Sequence, residues 1–138
     1  MENLMILTKI LSDNFRVLHR NLVGPSWFGD HEILEGYYKK MDDIQDDVIE
    51  IGIAMGIPEP TFASIMEMGQ LPYPGLPSGA KFNNEKAFQY TYNFFNALIE
   101  AFEAVKKQVP GDVYSKFEEY IYWLRKEAEY KIQHRLGK

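Results

Sequence analysis

The sequence has 138 residues, of which 46% are hydrophobic and 25% are charged, and its formal net charge is −5 at pH 7. A chain of this size and composition is typical of a globular protein with a sizeable core, so we expect one domain over residues 1–138. Cysteine is absent, which excludes disulfides, thiolate metal sites and cysteine nucleophiles. The acidic balance argues against simple electrostatic binding to nucleic acid, which depends on clustered lysine and arginine.

Membrane insertion and secretion are not expected from the sequence. No apolar run approaches the ~20 residues that a membrane-spanning helix needs, and the opening residues Met1-Glu-Asn-Leu lack the basic start of a signal peptide. We therefore expect a cytoplasmic protein without a membrane partner. Any metal that binds would meet nitrogen and oxygen ligands, which suit iron, manganese or zinc better than soft ions.

The first half of the sequence predicts two amphipathic helices. Apolar residues recur at three- and four-residue steps over about 3–22, and Gly24-Pro25 ends this first helix. The second helix is predicted from Asp30, a good N-cap, to Met55, with Gly56 as its stop. Its apolar seam contains Leu34, Tyr37, Met41, Ile44, Val48, Ile51 and Met55. The near-heptad period of this seam suits either the interior of the chain's own bundle or the same helix of a second copy.

The second half predicts a long connection followed by two more helices. Residues 56–84 are rich in proline and glycine, with a short helix predicted at Thr61 to Met68 and a loop at 71–79. Asn84 is predicted to cap a third helix, which Pro110-Gly111 ends, and Asp112 is predicted to cap a fourth. No stretch alternates with period two, so no strands are predicted. The expected fold is all-α, a ferritin-like four-helix bundle with a short extra helix between the second and third helices.

The predicted second helix carries two pairs of candidate metal ligands. His31 and Glu35 are four residues apart, as are Asp46 and Glu50, so each pair can present adjacent ligands to one ion. The two pairs are fifteen residues apart, which separates them by about 22 Å along the helix axis. One ion cannot contact both pairs of one chain. An antiparallel copy of this helix that crosses near residues 40 and 41 would bring the first pair of one chain to the second pair of the other.

Two simpler interpretations stay open on these residues alone. A single helical histidine is usually a surface or hydrogen-bonded residue, and the carboxylates could form a solvated face of the second helix. These acidic residues are Asp42, Asp43, Asp46, Asp47 and Glu50. The sequence contains no phosphate-binding glycine loop, nucleophile elbow, His-Glu-x-x-His zinc helix or Glu-x-x-His pair of an intrabundle di-iron site. If iron binds, we do not expect it in the centre of the bundle.

The order of these residues resembles the signature of a known family. His19 precedes His31 by twelve residues, and Glu35, Asp46 and Glu50 follow His31 by four, fifteen and nineteen residues. This order resembles the intersubunit ferroxidase signature of the Dps family of miniferritins. Four other segments also resemble the family over about residues 3–130, namely Gly24-x-x-Trp27-Phe28-x-x-His31, Asp46-Asp-Val-Ile-Glu50, Gly56-Ile-Pro-x-Pro-Thr and Trp123-Leu-Arg.

The resemblance implies a ferroxidase that also stores iron. It implies a shell of twelve identical subunits, built from two-fold dimers, that binds ferrous iron at dimer interfaces, oxidises it with hydrogen peroxide and keeps the ferric product. The implied catalytic iron ligands are His19, His31, Asp46 and Glu50. Glu50 is the candidate bridge between two ions, and Glu35 is a further metal ligand or a group that orients one of the histidines. Trp27 would be an aromatic wall or an electron donor to peroxide.

Three departures from the family pattern leave an alternative. Glu35 stands where the family usually has aspartate, and Arg20 replaces the tryptophan that commonly follows the first histidine. The lysine-rich tail that many members use to hold DNA is missing, and a shell of twelve chains would carry about −60, which makes DNA binding doubtful. The alternative function is a Dps-like assembly or structural protein with weakened or lost turnover. A plain helical interaction module with incidental histidines is a third hypothesis.

Overall fold

The structure, a computed structural model, describes residues 1–69 and 75–138, which divide into two compact units. The first unit is Met1–Asn21 with Phe28–Ala80, and the second is Leu22–Trp27 with Lys81–Lys138. The predicted loop at 71–79 lies outside the described residues over 71–74. The single domain over 1–138 stays a prediction.

Helices dominate the described chain, which confirms the predicted all-α class. In chain order the elements are α1 (Glu2–Arg20), β1 (Leu22–Val23), α2 (Trp27–Ala54), α3 (Phe62–Glu67), β2 (Phe82–Asn83), α4 (Asn84–Val105), a 3₁₀ turn (Lys106–Gln108), α5 (Gly111–Arg125), a π-helical segment (Lys126–Ile132) and α6 (Gln133–Arg135). No helix among the described residues is long and apolar enough to cross a membrane.

In the first unit, α1 and α2 run antiparallel. As residue numbers rise along α1, the α2 residues that they contact fall in number. Met5 approaches Gly52, and the rings of Phe15 and Tyr37 lie 6.1 Å apart. The His19 ring stacks on the His31 ring. The α2 seam is buried within the chain itself, with Leu34, Met41, Ile44 and Val48 all 0% exposed. These residues of the seam therefore serve the chain's own core, whereas Met55 at its end is exposed.

Local chemistry ends α2 and begins α3 where the sequence predicts. Gly56 has φ +86°, and its N–H donates to the Ile53 carbonyl at 2.9 Å while the Ile57 N–H donates to Gly52 at 2.9 Å. This is the glycine stop of a Schellman motif. At α3, the Thr61 side chain accepts from the Ser64 N–H at 3.1 Å and the Ser64 hydroxyl accepts from the Thr61 N–H at 2.9 Å, which forms a capping box.

Replacement of Gly52 by alanine should destabilise the protein by about 1–3 kcal/mol, the usual cost of overpacking a core. A Cβ at Gly52 would overlap the Met5 side chain, which is 0% exposed and would have to shift within the packed core. The matched control is Gly29→Ala on the same helix, where a Cβ meets nothing within 4 Å and helix propensity predicts a gain of about 0.5–1 kcal/mol. Denaturant unfolding of both variants checks the prediction, and equal midpoints would contradict it.

The second unit joins a short parallel strand pair to a helical hairpin. Leu22 pairs with Phe82, and both are buried. Phe102 of α4 packs against Phe117 of α5 with ring centroids 4.9 Å apart. Lys106 lies between these helices and contacts Glu103 at 2.8 Å and Glu118 at 2.6 Å, and these carboxylates raise the pKa of Lys106 above its ordinary range.

Four details of the sequence prediction are wrong. α2 begins at Trp27, whose N–H donates to the Gly24 carbonyl at 3.2 Å, so Asp30 lies in its first turn rather than at the cap. The cap of α4 is Asn83, whose side chain accepts from the Lys86 N–H, because Asn84 is itself helical and buried. α5 begins at Gly111, one residue before Asp112. The described part of the chain contains two strands, although none was predicted, and each is two residues long and too short to show a period.

Candidate metal centre

The antiparallel pairing of α1 and α2 brings two of the predicted ligands together. His19 lies in the last turn of α1, and His31 lies near the start of α2. Their rings are stacked, with centroids 3.8 Å apart and planes inclined by 30°. Both histidines are half-buried. A short connection between two antiparallel helices therefore places two imidazoles at the same end of the first unit.

A hydrogen bond to the backbone fixes the tautomer of His19. Its Nδ1 lies 3.1 Å from the His31 carbonyl oxygen. A carbonyl only accepts, so this bond requires a proton on Nδ1 and leaves the lone pair of neutral His19 on Nε2. Partial burial lowers the pKa of His19 below its ordinary value of 6.5, although the hydrogen bond to His31 opposes the shift. The imidazole is thus neutral at neutral pH, which is the form that binds metals.

Glu35 lies one turn after His31 on the same helix. Its carboxylate raises the pKa of His19 slightly, an effect smaller than the lowering by burial, and it approaches Lys39 Nζ at 3.7 Å. Both side chains of this ion pair are well exposed, at 66% for Lys39 and 41% for Glu35. Exposed pairs of this type contribute little, so Lys39 does not lock the Glu35 carboxylate.

Asp46 and Glu50 are exposed and lie far along α2 from the histidines. α2 is continuous from Trp27 to Ala54, so the fifteen residues between His31 and Asp46 correspond to about 22 Å. Among the residues that the structure describes, no group of three or more histidine or acidic side chains could hold a metal ion. One chain therefore brings His19 and His31 together near Glu35, and does not bring Asp46 and Glu50 to them.

The structure adds two side chains that the sequence analysis missed. The Tyr38 ring meets the His19 ring edge-on, with centroids 5.2 Å apart and planes inclined by 73°. The Arg16 guanidinium lies over the Tyr38 ring, with Cζ 4.9 Å from its centroid. A signal was present, because His31, Glu35 and Tyr38 follow at steps of four and three residues and so share a face of α2.

Sequence comparisons give no match. No model of a protein family matches the chain, and no curated protein matches it. Comparison of structures gives a similarity to the crystal structure of Dps92 from Deinococcus radiodurans, with a TM-score of 0.71 and 20% sequence identity, over 91% of this chain and 81% of that chain. At this identity the likeness concerns the fold. The chain has the ferritin-like helical fold of a Dps protein.

Proposed function

We propose that the protein binds ferrous iron at sites shared between two copies, oxidises it with hydrogen peroxide and stores the ferric product in a shell of twelve chains. The observation that carries this proposal is the His19–His31 pair, in which hydrogen bonding leaves the His19 Nε2 lone pair available. A likeness of fold to a Dps protein supports the same function. We place this activity in the cytoplasm and include neither DNA nor a membrane among the partners.

A second copy would complete the site through the exposed side of α2. In an antiparallel crossing near Lys40 and Met41, His31 of one chain lies at the same position along the helix axis as Glu50 of the other chain. Met41 is 0% exposed, so it marks the level of the crossing and does not itself contact the second copy. The proposed contact face would consist of exposed α2 residues, namely Ile33, Gly36, Asp43, Asp46, Glu50 and Ile53.

The donor set suits iron as a substrate. In the complete site, His19 and His31 supply neutral nitrogen donors, and Asp46 and Glu50 of the second copy supply two negative charges. Glu50 is the proposed bridge between two ions, and Glu35 adds a third carboxylate as a ligand or as a partner of a histidine. Two ferrous ions, one hydrogen peroxide and two protons give two ferric ions and two waters. The carboxylates offset the charge that the ions gain in this reaction.

The alternative function is a Dps-like assembly without rapid turnover. Two observations favour it. Burial is the main cause of the lowered pKa of His19, and the positive charge of Arg20 adds a small contribution in the same direction. Glu35 carries a longer side chain than the aspartate usual in the Dps family. A nearby cation disfavours the approach of ferrous iron. Both functions predict the same shell, so assembly alone does not separate them.

Two measurements on the wild-type protein test these functions. Size-exclusion chromatography with light scattering should give a mass near twelve times 16.1 kDa. Stopped-flow absorbance after addition of ferrous iron and peroxide should then show rapid formation of ferric product. A shell without this rapid phase would favour the assembly protein. A monomer without iron oxidation would leave only a helical interaction module.

A further inference from the structure

We propose that Tyr38 is a positioning residue whose ring, held by Arg16, fixes the orientation of the His19 imidazole. The residues involved are Ser12, Arg16, Tyr38 and Asp42, which we call the Tyr38 cluster. None of them is among the proposed ligands. The consequence for iron binding rests on the proposed function, whereas the orientation of His19 is a property of the metal-free protein.

The Tyr38 cluster begins with a guanidinium group that is fixed on two sides. Arg16 Nη1 donates to the Ser12 hydroxyl oxygen at 2.8 Å, and Arg16 Nη2 donates to the Asp42 carboxylate. The Ser12 hydroxyl donates to the other Asp42 oxygen at 2.6 Å, which closes the network. Ser12 is 4% exposed, so this end of the network is anchored in the core. A charged fork held by two partners has little freedom to rotate.

The fixed guanidinium then restrains Tyr38. Arg16 Cζ lies 4.9 Å from the centroid of the Tyr38 ring, within the range of a cation–π contact. Within the described chain, the Tyr38 hydroxyl makes no hydrogen bond. The aromatic ring, rather than the hydroxyl, therefore carries the contacts of Tyr38. Phenylalanine at this position should keep those contacts.

Tyr38 in turn restrains His19. The imidazole contacts the Tyr38 ring edge-on at 5.2 Å, stacks on His31 at 3.8 Å and is hydrogen-bonded through Nδ1 to the His31 carbonyl. Rotation of an imidazole about χ2 is otherwise broad, because it is an sp³–sp² torsion. The Tyr38 ring lies against the imidazole and is therefore placed to limit this rotation. Without the Tyr38 ring, the His19 imidazole can rotate away from the His31 carbonyl and break this hydrogen bond. Its proton then occupies either nitrogen, and the Nε2 lone pair no longer points in one direction.

Tyr38 is a cleaner position for mutagenesis than Arg16. Arg16 and Asp42 line an open cleft of about 490 Å³ that also contains Asp46, so a change at Arg16 alters the charge beside a proposed ligand. Tyr38 does not line this cleft. Tyr38→Phe and Tyr38→Ala separate the ring from the hydroxyl, and Tyr38→Leu keeps apolar bulk if the alanine variant folds poorly. Tyr122→Ala, at a tyrosine 68% exposed on α5, controls for the general loss of a tyrosine.

Nitrogen-15 NMR of histidine-labelled, metal-free protein reports the His19 tautomer directly. We expect a proton on Nδ1 in the wild type, Tyr38→Phe and Tyr122→Ala, and a mixture of tautomers in Tyr38→Ala and Tyr38→Leu. Anaerobic titration with ferrous iron should show about tenfold weaker binding in the latter two variants, the scale of outer-shell changes at metal sites.

Retention of a single Nδ1–H tautomer in both Tyr38→Ala and Tyr38→Leu would overturn the proposal, as would loss of that tautomer in Tyr38→Phe. If the wild-type protein binds no iron, the proposed function fails while the NMR result still decides the role of Tyr38. If iron binds and the tautomer changes without any loss of affinity, the orienting role of Tyr38 is confirmed and the consequence proposed for iron binding is overturned.

Discussion

Replacement of Asp46 or Glu50 by alanine is expected to slow the oxidation of ferrous iron by peroxide about a hundredfold or more, because even outer-shell changes cost ten- to a hundredfold at metal sites. Each substitution removes one carboxylate from the proposed shared site. Both residues are exposed, and each lies outside the buried α2 seam, so the fold should be retained. Stopped-flow absorbance measures the rate, and light scattering measures the assembly.

Glu119→Ala is the control for these variants. Glu119 is an exposed acid on α5 of the second unit and belongs neither to the proposed site nor to the proposed contact face of α2. A general effect of negative charge on iron attraction would slow all three variants alike. Rapid oxidation at the wild-type rate in both Asp46→Ala and Glu50→Ala would exclude these carboxylates as ligands and would contradict the proposed shared site.

The helices could be predicted where local chemistry alone decides their bounds. Gly56 ends α2 because only glycine readily adopts its positive φ, and Thr61 caps α3 through side-chain hydrogen bonds within four residues. The start of α4 could not be fixed in this way. Asn83 and Asn84 are equally good caps by residue type, and burial of Asn84 in the folded chain selects Asn83.

Part of the candidate site could likewise be predicted from local sequence, and part depends on contacts between helices. Helical spacing alone pairs His31 with Glu35, whereas the link to His19 came from a resemblance and appears in the structure as a stacked pair between α1 and α2. Tyr38 was missed because its proposed role depends on contacts between two helices. Tyr38 lies on α2, whereas the two side chains that it contacts, Arg16 and His19, both lie on α1. Helical periodicity places Tyr38 on the same face of α2 as His31 and Glu35, but it carries no information about contacts with a second helix.

Replacement of His19 by alanine should lower the affinity for ferrous iron about tenfold or more in every site of an assembly. His19 offers its Nε2 lone pair because Nδ1 is bound to the His31 carbonyl, and alanine removes that donor without changing the proposed carboxylates. Anaerobic binding titrations at neutral pH measure the loss. His134→Ala is the matched control, since His134 lies in α6 of the second unit.

Acid should reproduce the His19→Ala defect in the wild-type protein. Iron binds the neutral imidazole, so protonation of His19 competes with binding. Because burial lowers the pKa of His19, the neutral form persists to lower pH than in an ordinary histidine, and the His19 contribution to affinity should be lost at correspondingly lower pH. The His19→Ala variant lacks this group, so its affinity should fall less steeply over the same range. Identical pH profiles in the two proteins, or wild-type affinity in His19→Ala, would remove His19 from the proposed site and leave iron binding to the carboxylates and His31.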